Sequence, residues 1–188
     1  MSQLNIAVVV GSLRKESFNR QFAEALVRLF PTDVKPQFVR IDDLPLYNQD
    51  SDGAPPAPPV ARLRDEIAAA DGVLFVTAEY NRSIPGVLKN AIDQASRPWG
   101  QSKWAGKPAA VVSNSPGNIG GFGAHHHLRQ TLAFLNMPTL QQPEMYLSGV
   151  GSWFNEAGVI EKDETRKFLA QFGQTFADWI EKTAPAAK

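Results

Sequence analysis

Apolar positions along this chain follow two alternating rhythms. Leu4-Asn5-Ile6-Ala7-Val8-Val9-Val10, Val73-Leu74-Phe75-Val76-Thr77 and Lys107 to Val112 are short runs dominated by apolar residues, the pattern of strands buried on both faces. Between them apolar residues recur at helical spacing. Phe18, Phe22, Ala25, Leu26 and Leu29 predict a helix over Ser17 to Phe30, ended by Pro31. Leu63 and Ile67 mark a helix over Val60 to Ala70, stopped by Asp71-Gly72. Helices are also expected over Val87 to Ala95, with Pro85 near the first turn, and over Ala124 to Leu135. A closing helix over Lys162 to Ile180 carries Phe168, Phe172, Phe176 and Trp179 on one stripe. Val34 to Ile41 reads as a partly polar edge strand and Thr139 to Leu147 as the last strand. Asp42 to Pro59, with Pro45, Pro55, Pro56, Pro58 and Pro59, reads as an irregular surface loop flanking the site.

Five strands alternating with helices imply a parallel sheet covered on both faces. The expected architecture is a three-layer α/β, doubly wound, flavodoxin-like fold with a five-stranded parallel sheet in order 2-1-3-4-5. The 188 residues suit one domain spanning 1–188. Hydrophobic residues at 43%, charged residues at 20% and a formal net charge of zero describe an ordinary globular chain. No global field favours nucleic acid or a membrane surface, so an anionic ligand must be held by local geometry. The chain has no cysteine, which removes disulfides, thiolate metal sites and a thiol nucleophile. With no signal-peptide pattern and no run long enough to span a bilayer, a cytoplasmic protein without membrane insertion is expected.

In this order the strand sequence reverses between the first and third strands, and ligands bind beyond the strand ends at that switch point. The loops there are Gly11–Asn19 and Ala78–Gly86, with Ser113–Gly121 beside them. In the first, Ser12, Ser17 and Asn19 can donate hydrogen bonds, and Arg14 offers a planar charged fork. A helix start adds free N–H groups, so the loop reads as a phosphate cradle with Ser17 as helix cap. The plainer alternative is a capped turn with solvated Arg14 and Lys15. The loop lacks the G-x-x-x-x-G-K-[ST] phosphate motif and the three glycines of a dinucleotide fingerprint. In the second loop, Asn81 and the backbone suit the edge of a planar heterocycle, and Tyr80 could shape or cover it. Glu79 fits an acid or base as well as a structural or solvated carboxylate. In the third, glycines permit close backbone approach to a flat ring, with Ser115 or Asn118 as partners.

His125-His126-His127 cannot converge on one ion, because consecutive helical residues point about 100° apart. An interface or ring-facing role suits them better, and no metal site is expected. No G-x-S-x-G elbow occurs, which argues against an esterase.

Gly11-Ser12-Leu13-Arg14-Lys15-Glu16-Ser17-Phe18-Asn19, Glu79-Tyr80-Asn81 with Ser83-Ile84-Pro85-Gly86-Val87-Leu88-Lys89-Asn90-Ala91-Ile92-Asp93, and the Ser115 loop with Gly120-Gly121 follow in one order and spacing. Together they resemble the NADPH-dependent FMN reductase family, particularly its bacterial quinone and chromate reductase branch. The resemblance implies a flavoprotein binding FMN non-covalently, with NADPH or NADH as co-substrate. By the same resemblance Ser12, Arg14, Ser17, Phe18 and Asn19 hold the phosphate and ribityl chain. Glu79, Tyr80, Asn81 and Arg82 line the ring and Ser115 contacts it. It implies a homodimer or homotetramer, the flavin near a subunit boundary, and two-electron reduction of quinones and often azo, nitro or chromate acceptors. No residue is nominated as an obligatory acid or base, since the flavin carries the chemistry of a ping-pong cycle. Arg82 and Gly123-Ala124-His125 depart from the family pattern at the ring face and interface.

A flavodoxin-like electron carrier without direct NAD(P)H activity is the main alternative; such carriers are usually strongly acidic, and this chain is neutral. A receiver-type module of the same fold would need acidic residues where Gly11-Ser12 stand.

Overall fold

The structure, a computed structural model, describes residues 3–183. Its elements are β1 (Leu4–Gly11), α1 (Phe18–Val27), β2 (Val34–Val39), α2 (Pro58–Ala69), β3 (Gly72–Thr77), α3 (Gly86–Ala95), β4 (Ala109–Ser115), α4 (Phe122–Phe134), β5 (Met145–Ser148) and α5 (Asp163–Thr183). The strands form one sheet in order β2-β1-β3-β4-β5, every pair parallel, as the sequence pattern predicts. The polar alternation of β2 belongs to an edge, while β3 is buried at all six positions.

Period-two alternation splits the sheet's side chains between two cores. Ile6, Val8, Val10, Leu74, Val76 and Val112 meet Phe22 and Leu26 of α1 and Phe172 and Phe176 of α5. Ala7, Val9, Phe75 and Val111 meet Leu63 of α2, Leu88 and Ile92 of α3 and Leu128 of α4. Each large apolar side chain so buried contributes about 1.5–3 kcal/mol. Trp104 is fully buried against Phe75, ring centroids 5.7 Å apart, and its indole N–H donates to the Ile92 carbonyl at 2.9 Å.

The structure corrects several boundaries. The expected loop from Asp42 to Pro59 contains a short 3-10 turn at Gln49–Ser51, and its last two prolines open α2, where a missing N–H costs nothing. Lys107 precedes β4 rather than opening it: its ammonium donates to the Ala68 and Ala70 carbonyls at the end of α2. In turn β4 runs on through Ser113, Asn114 and Ser115, which pair with β5. The expected strand from Thr139 shrinks to Met145–Ser148, Thr139 forming only an isolated bridge to Ala109. Phe168 is 45% exposed and leaves the stripe that Phe172 and Phe176 complete.

Candidate active site

Gly11, Thr77, Ser113 and Tyr146 lie level across the sheet. The loops following β1, β3 and β4 therefore leave from one edge, at the point where strand order reverses. A concavity of about 680 Å³ lies elsewhere, between the C-terminal ends of α3 and α4 with Trp99 and Phe134 on its walls. Those helix ends sit at the strands' N-terminal edge, away from the switch point, so the strand-end loops remain the candidate site.

The first loop ends in a capped helix. The Ser17 hydroxyl accepts from the Arg20 N–H at 3.3 Å, leaving the N–H groups of Phe18 and Asn19 ahead of the first intrahelical bonds. Ser17 keeps its own proton to donate. Asn19 faces inward at 6% exposure, and its Oδ1 has no partner. Arg14 is exposed; its guanidinium donates to the Glu16 carbonyl at 2.7 Å and lies 5.7 Å from the centre of the Phe18 ring. A cavity of about 450 Å³ is lined by Arg14, Lys15, Ser17 and Phe18, with the carboxylate residues Glu16 and Glu24 also on its walls. Free helix N–H groups, hydroxyls and a guanidinium form a donor-rich set that fits a phosphate monoester such as that of FMN, while the orphaned Asn19 Oδ1 is an acceptor and suits a hydroxyl instead. Ser12 stands at the start of this loop, half-buried.

The second loop is a tight hairpin. Tyr80 and Ser83 exchange backbone hydrogen bonds at 2.9 and 3.0 Å, and Asn81 and Arg82 both have positive φ, 51° and 65°. Two consecutive left-handed residues make a type I′ turn, whose second position is ordinarily glycine. Arginine there carries about 1–2 kcal/mol of backbone strain. The Glu79 carboxylate is fully engaged: Oε1 accepts from Arg82 at 2.9 Å and Oε2 from the Ala124 N–H at 3.0 Å, in the first turn of α4. Of the roles open to Glu79 in the sequence, the structural one matches this geometry. Gly123 is what admits it, since a Cβ there would lie 2.9 Å from Glu79 Oε2 and 3.1 Å from the Arg82 carbonyl oxygen. Ser83 Oγ and His127 Nδ1, 2.7 Å apart, form a second tie between hairpin and α4. Tyr80 and Asn81 stand exposed at the tip.

The third loop is firmly fixed. Ser113 donates to the Gly120 carbonyl at 2.8 Å, Ser115 Oγ accepts from Gly117 N–H at 3.1 Å, and Ser148 donates to the Asn118 carbonyl at 2.8 Å. The structure places Glu79 and Arg82 in the hairpin after β3 and Ser115 at the end of β4 rather than in a loop, and sequence reasoning missed the Glu79–Ala124 and Ser83–His127 ties. A glycine in the first turn of a helix, Gly123, was the available signal of close approach.

The three histidines diverge. His125 is buried with both ring nitrogens unpartnered, the His126 ring lies tilted at 53° against Phe122 with centroids 4.2 Å apart, and His127 meets Ser83. Among the described residues no histidine or acidic cluster has the arrangement of a metal site. Burial, reinforced by the nearby Arg129 and His126, pushes the His125 pKa down to about 4. A histidine neutral in the fold and protonatable when unfolded contributes stability above its ordinary pKa near 6.5, lost as pH falls through that value toward 4. We expect the unfolding free energy from urea titrations, and with it the midpoint, to drop over that window, the free energy with a slope approaching about 1.4 kcal/mol per pH unit, and His125→Asn to flatten it. A midpoint independent of pH between 6.5 and 4 in both proteins contradicts this.

Comparison with known proteins places these features in context. The family model for NADPH-dependent FMN reductase matches residues 4–151. A quinone reductase of Pseudomonas putida is 58% identical over 181 residues, covering 96% of this chain and 97% of the relative. A 2-hydroxy-1,4-benzoquinone reductase of a Burkholderia species is 52% identical over 178 residues, covering 94% and 96%. The solved structure of FerB, a flavoenzyme NAD(P)H:(acceptor) oxidoreductase of Paracoccus denitrificans, superposes with a TM-score of 0.91 at 42% identity, covering 97% of this chain and all of that one.

Proposed function

Because the chain belongs to the NADPH-dependent FMN reductase family, whose enzymes use FMN and NAD(P)H, we propose that it catalyses the two-electron reduction of quinones by NAD(P)H. The observation that carries this is the donor-rich loop Gly11–Asn19 at the sheet's switch point, faced by the two other loops of the same edge. In this reading Ser12, Arg14, Ser17, Phe18 and Asn19 hold the FMN phosphate and ribityl chain, and Tyr80, Asn81 and Ser115 border the ring. Bound there, FMN supplies a two-electron carrier between the nicotinamide and the acceptor.

The protein's contribution is placement. The Ser17 cap fixes the first turn of α1, so its N–H groups are oriented before the phosphate arrives. The Glu79–Ala124 and Ser83–His127 ties hold the hairpin against α4. With both oxygens of Glu79 engaged, no side chain is assigned as obligatory acid or base. The exposed Tyr80 and Asn81 leave the rim open, which favours flat quinones and extends the proposal to azo and nitro compounds and to chromate, a tetrahedral anion small enough to enter an open site. The co-substrate and acceptor take turns in a ping-pong order, and the chain acts as a homodimer or homotetramer in the cytoplasm. Among the described residues no helix is long and apolar enough to cross a membrane.

The test is a steady-state panel of benzoquinones, azo and nitro compounds and chromate, with NADH and NADPH, on FMN-loaded protein. Quinone turnover with parallel double-reciprocal lines is expected. Negligible oxidation of either nicotinamide, with flavin bound, points instead to an electron carrier.

A further inference from the structure

Arg82 sits in the second strand-end loop with a geometry that the phosphate cradle leaves unexplained. It occupies the left-handed position of a type I′ turn, φ 65°, where glycine would be free of strain. Strain kept at a site edge invites a functional account. One nitrogen of its guanidinium is fixed by Glu79 at 2.9 Å, yet the side chain remains 73% exposed. Glu79 is in turn fixed by Ala124 N–H, and the hairpin by His127. The result is a pre-oriented cation with free N–H donors, on the loop after β3, the strand adjacent to β1 from which the phosphate cradle leaves. Its neighbouring carboxylate is fully occupied by Arg82 and the α4 N-terminus.

A fixed guanidinium with free donors matches a phosphate oxyanion, which it can bind through paired hydrogen bonds. We infer that Arg82 binds a phosphate of the reduced dinucleotide co-substrate and so sets nicotinamide affinity. This rests on the proposed FMN- and NAD(P)H-dependent reaction. The phosphate is either the diphosphate common to NADH and NADPH or the 2′-phosphate of NADPH alone, and the two co-substrates separate these sources.

The experiment compares wild type, Arg82→Gly and Arg82→Lys, all with saturating FMN. KM is measured for NADPH and for NADH, and NADP⁺ and NAD⁺ are titrated into the flavin-loaded proteins by calorimetry. Glycine suits the left-handed turn, so that variant is expected to fold. The KM for NADPH and the Kd of NADP⁺ should rise about tenfold or more in Arg82→Gly, the loss of one charge-assisted contact. Lysine should recover part of the loss, and the salt dependence of KM should flatten in Arg82→Gly. Equal losses for both nicotinamides assign the diphosphate; a loss confined to the phosphorylated pair assigns the 2′-phosphate. If both KM and Kd values stay within twofold of wild type while turnover persists, this inference falls alone. Wild-type protein that holds FMN but oxidises neither nicotinamide overturns the functional proposal and this inference together.

Discussion

Exchanging Arg14 and Ser17 together for alanine is expected to weaken FMN binding on the order of a thousandfold, because in the proposed site each would supply a hydrogen bond to a charged phosphate worth about 1.5–3 kcal/mol. The fold should survive. Arg14 is exposed and donates to the Glu16 carbonyl within its own loop. Ser17 caps α1 through Arg20 N–H, and losing such a cap costs about 1 kcal/mol. For a chain of 188 residues that is a fall in Tm of roughly 2–4 °C. Quenching of flavin fluorescence gives the affinity and calorimetry the Tm. A loss of less than tenfold in FMN affinity removes these two side chains from the phosphate site.

The second large effect is expected at Gly120. Its φ is +62°, and a Cβ there would sit 2.7 Å from the carbonyl carbon and oxygen of Tyr146 and 2.8 Å from the Leu147 nitrogen. Those are backbone atoms of β5, paired with Ser113 and Asn114 of β4, so they cannot retreat without breaking the ladder. Left-handed strain and a backbone clash together put Gly120→Ala at more than about 3 kcal/mol, or roughly 6–12 °C in Tm. The bond from Ser113 to the Gly120 carbonyl should fail with it, loosening the third loop. Gly117→Ala is the control: its Cβ would come no nearer than 3.5 Å to the Ser115 hydroxyl, so a change within about 0.5 kcal/mol is expected. Similar Tm values for the two variants contradict the packing account.

The sheet order was legible because its causes are local and repeated. Apolar runs at β1 and β3 and the helical periods between them permit few arrangements, and the polar alternation of β2 marks an edge. What escaped depends on partners distant in sequence. Ser113-Asn114-Ser115 reads as loop by composition, yet β5 supplies its hydrogen bonds and makes it strand. Pro58 and Pro59 read as breakers, although at a helix start they cost no hydrogen bond. The site divides the same way. The Ser17 cap could be read from residue type and position, and the structure places it there. The Glu79–Ala124 tie spans 45 residues and has no local signature beyond Gly123. The left-handed turn at Asn81-Arg82 was hidden because arginine stands where glycine would have signalled it.

The account centres on phosphate recognition by Gly11–Asn19, and a paired titration of apoprotein with FMN and riboflavin tests it most directly. The two ligands share the ring and ribityl chain and differ only in the phosphate. Removing several charge-assisted contacts should cost at least a hundredfold in affinity, about 2.7 kcal/mol. FMN binding at one per chain and at least a hundredfold tighter than riboflavin is the expected result. Equal affinities for the two flavins contradict it.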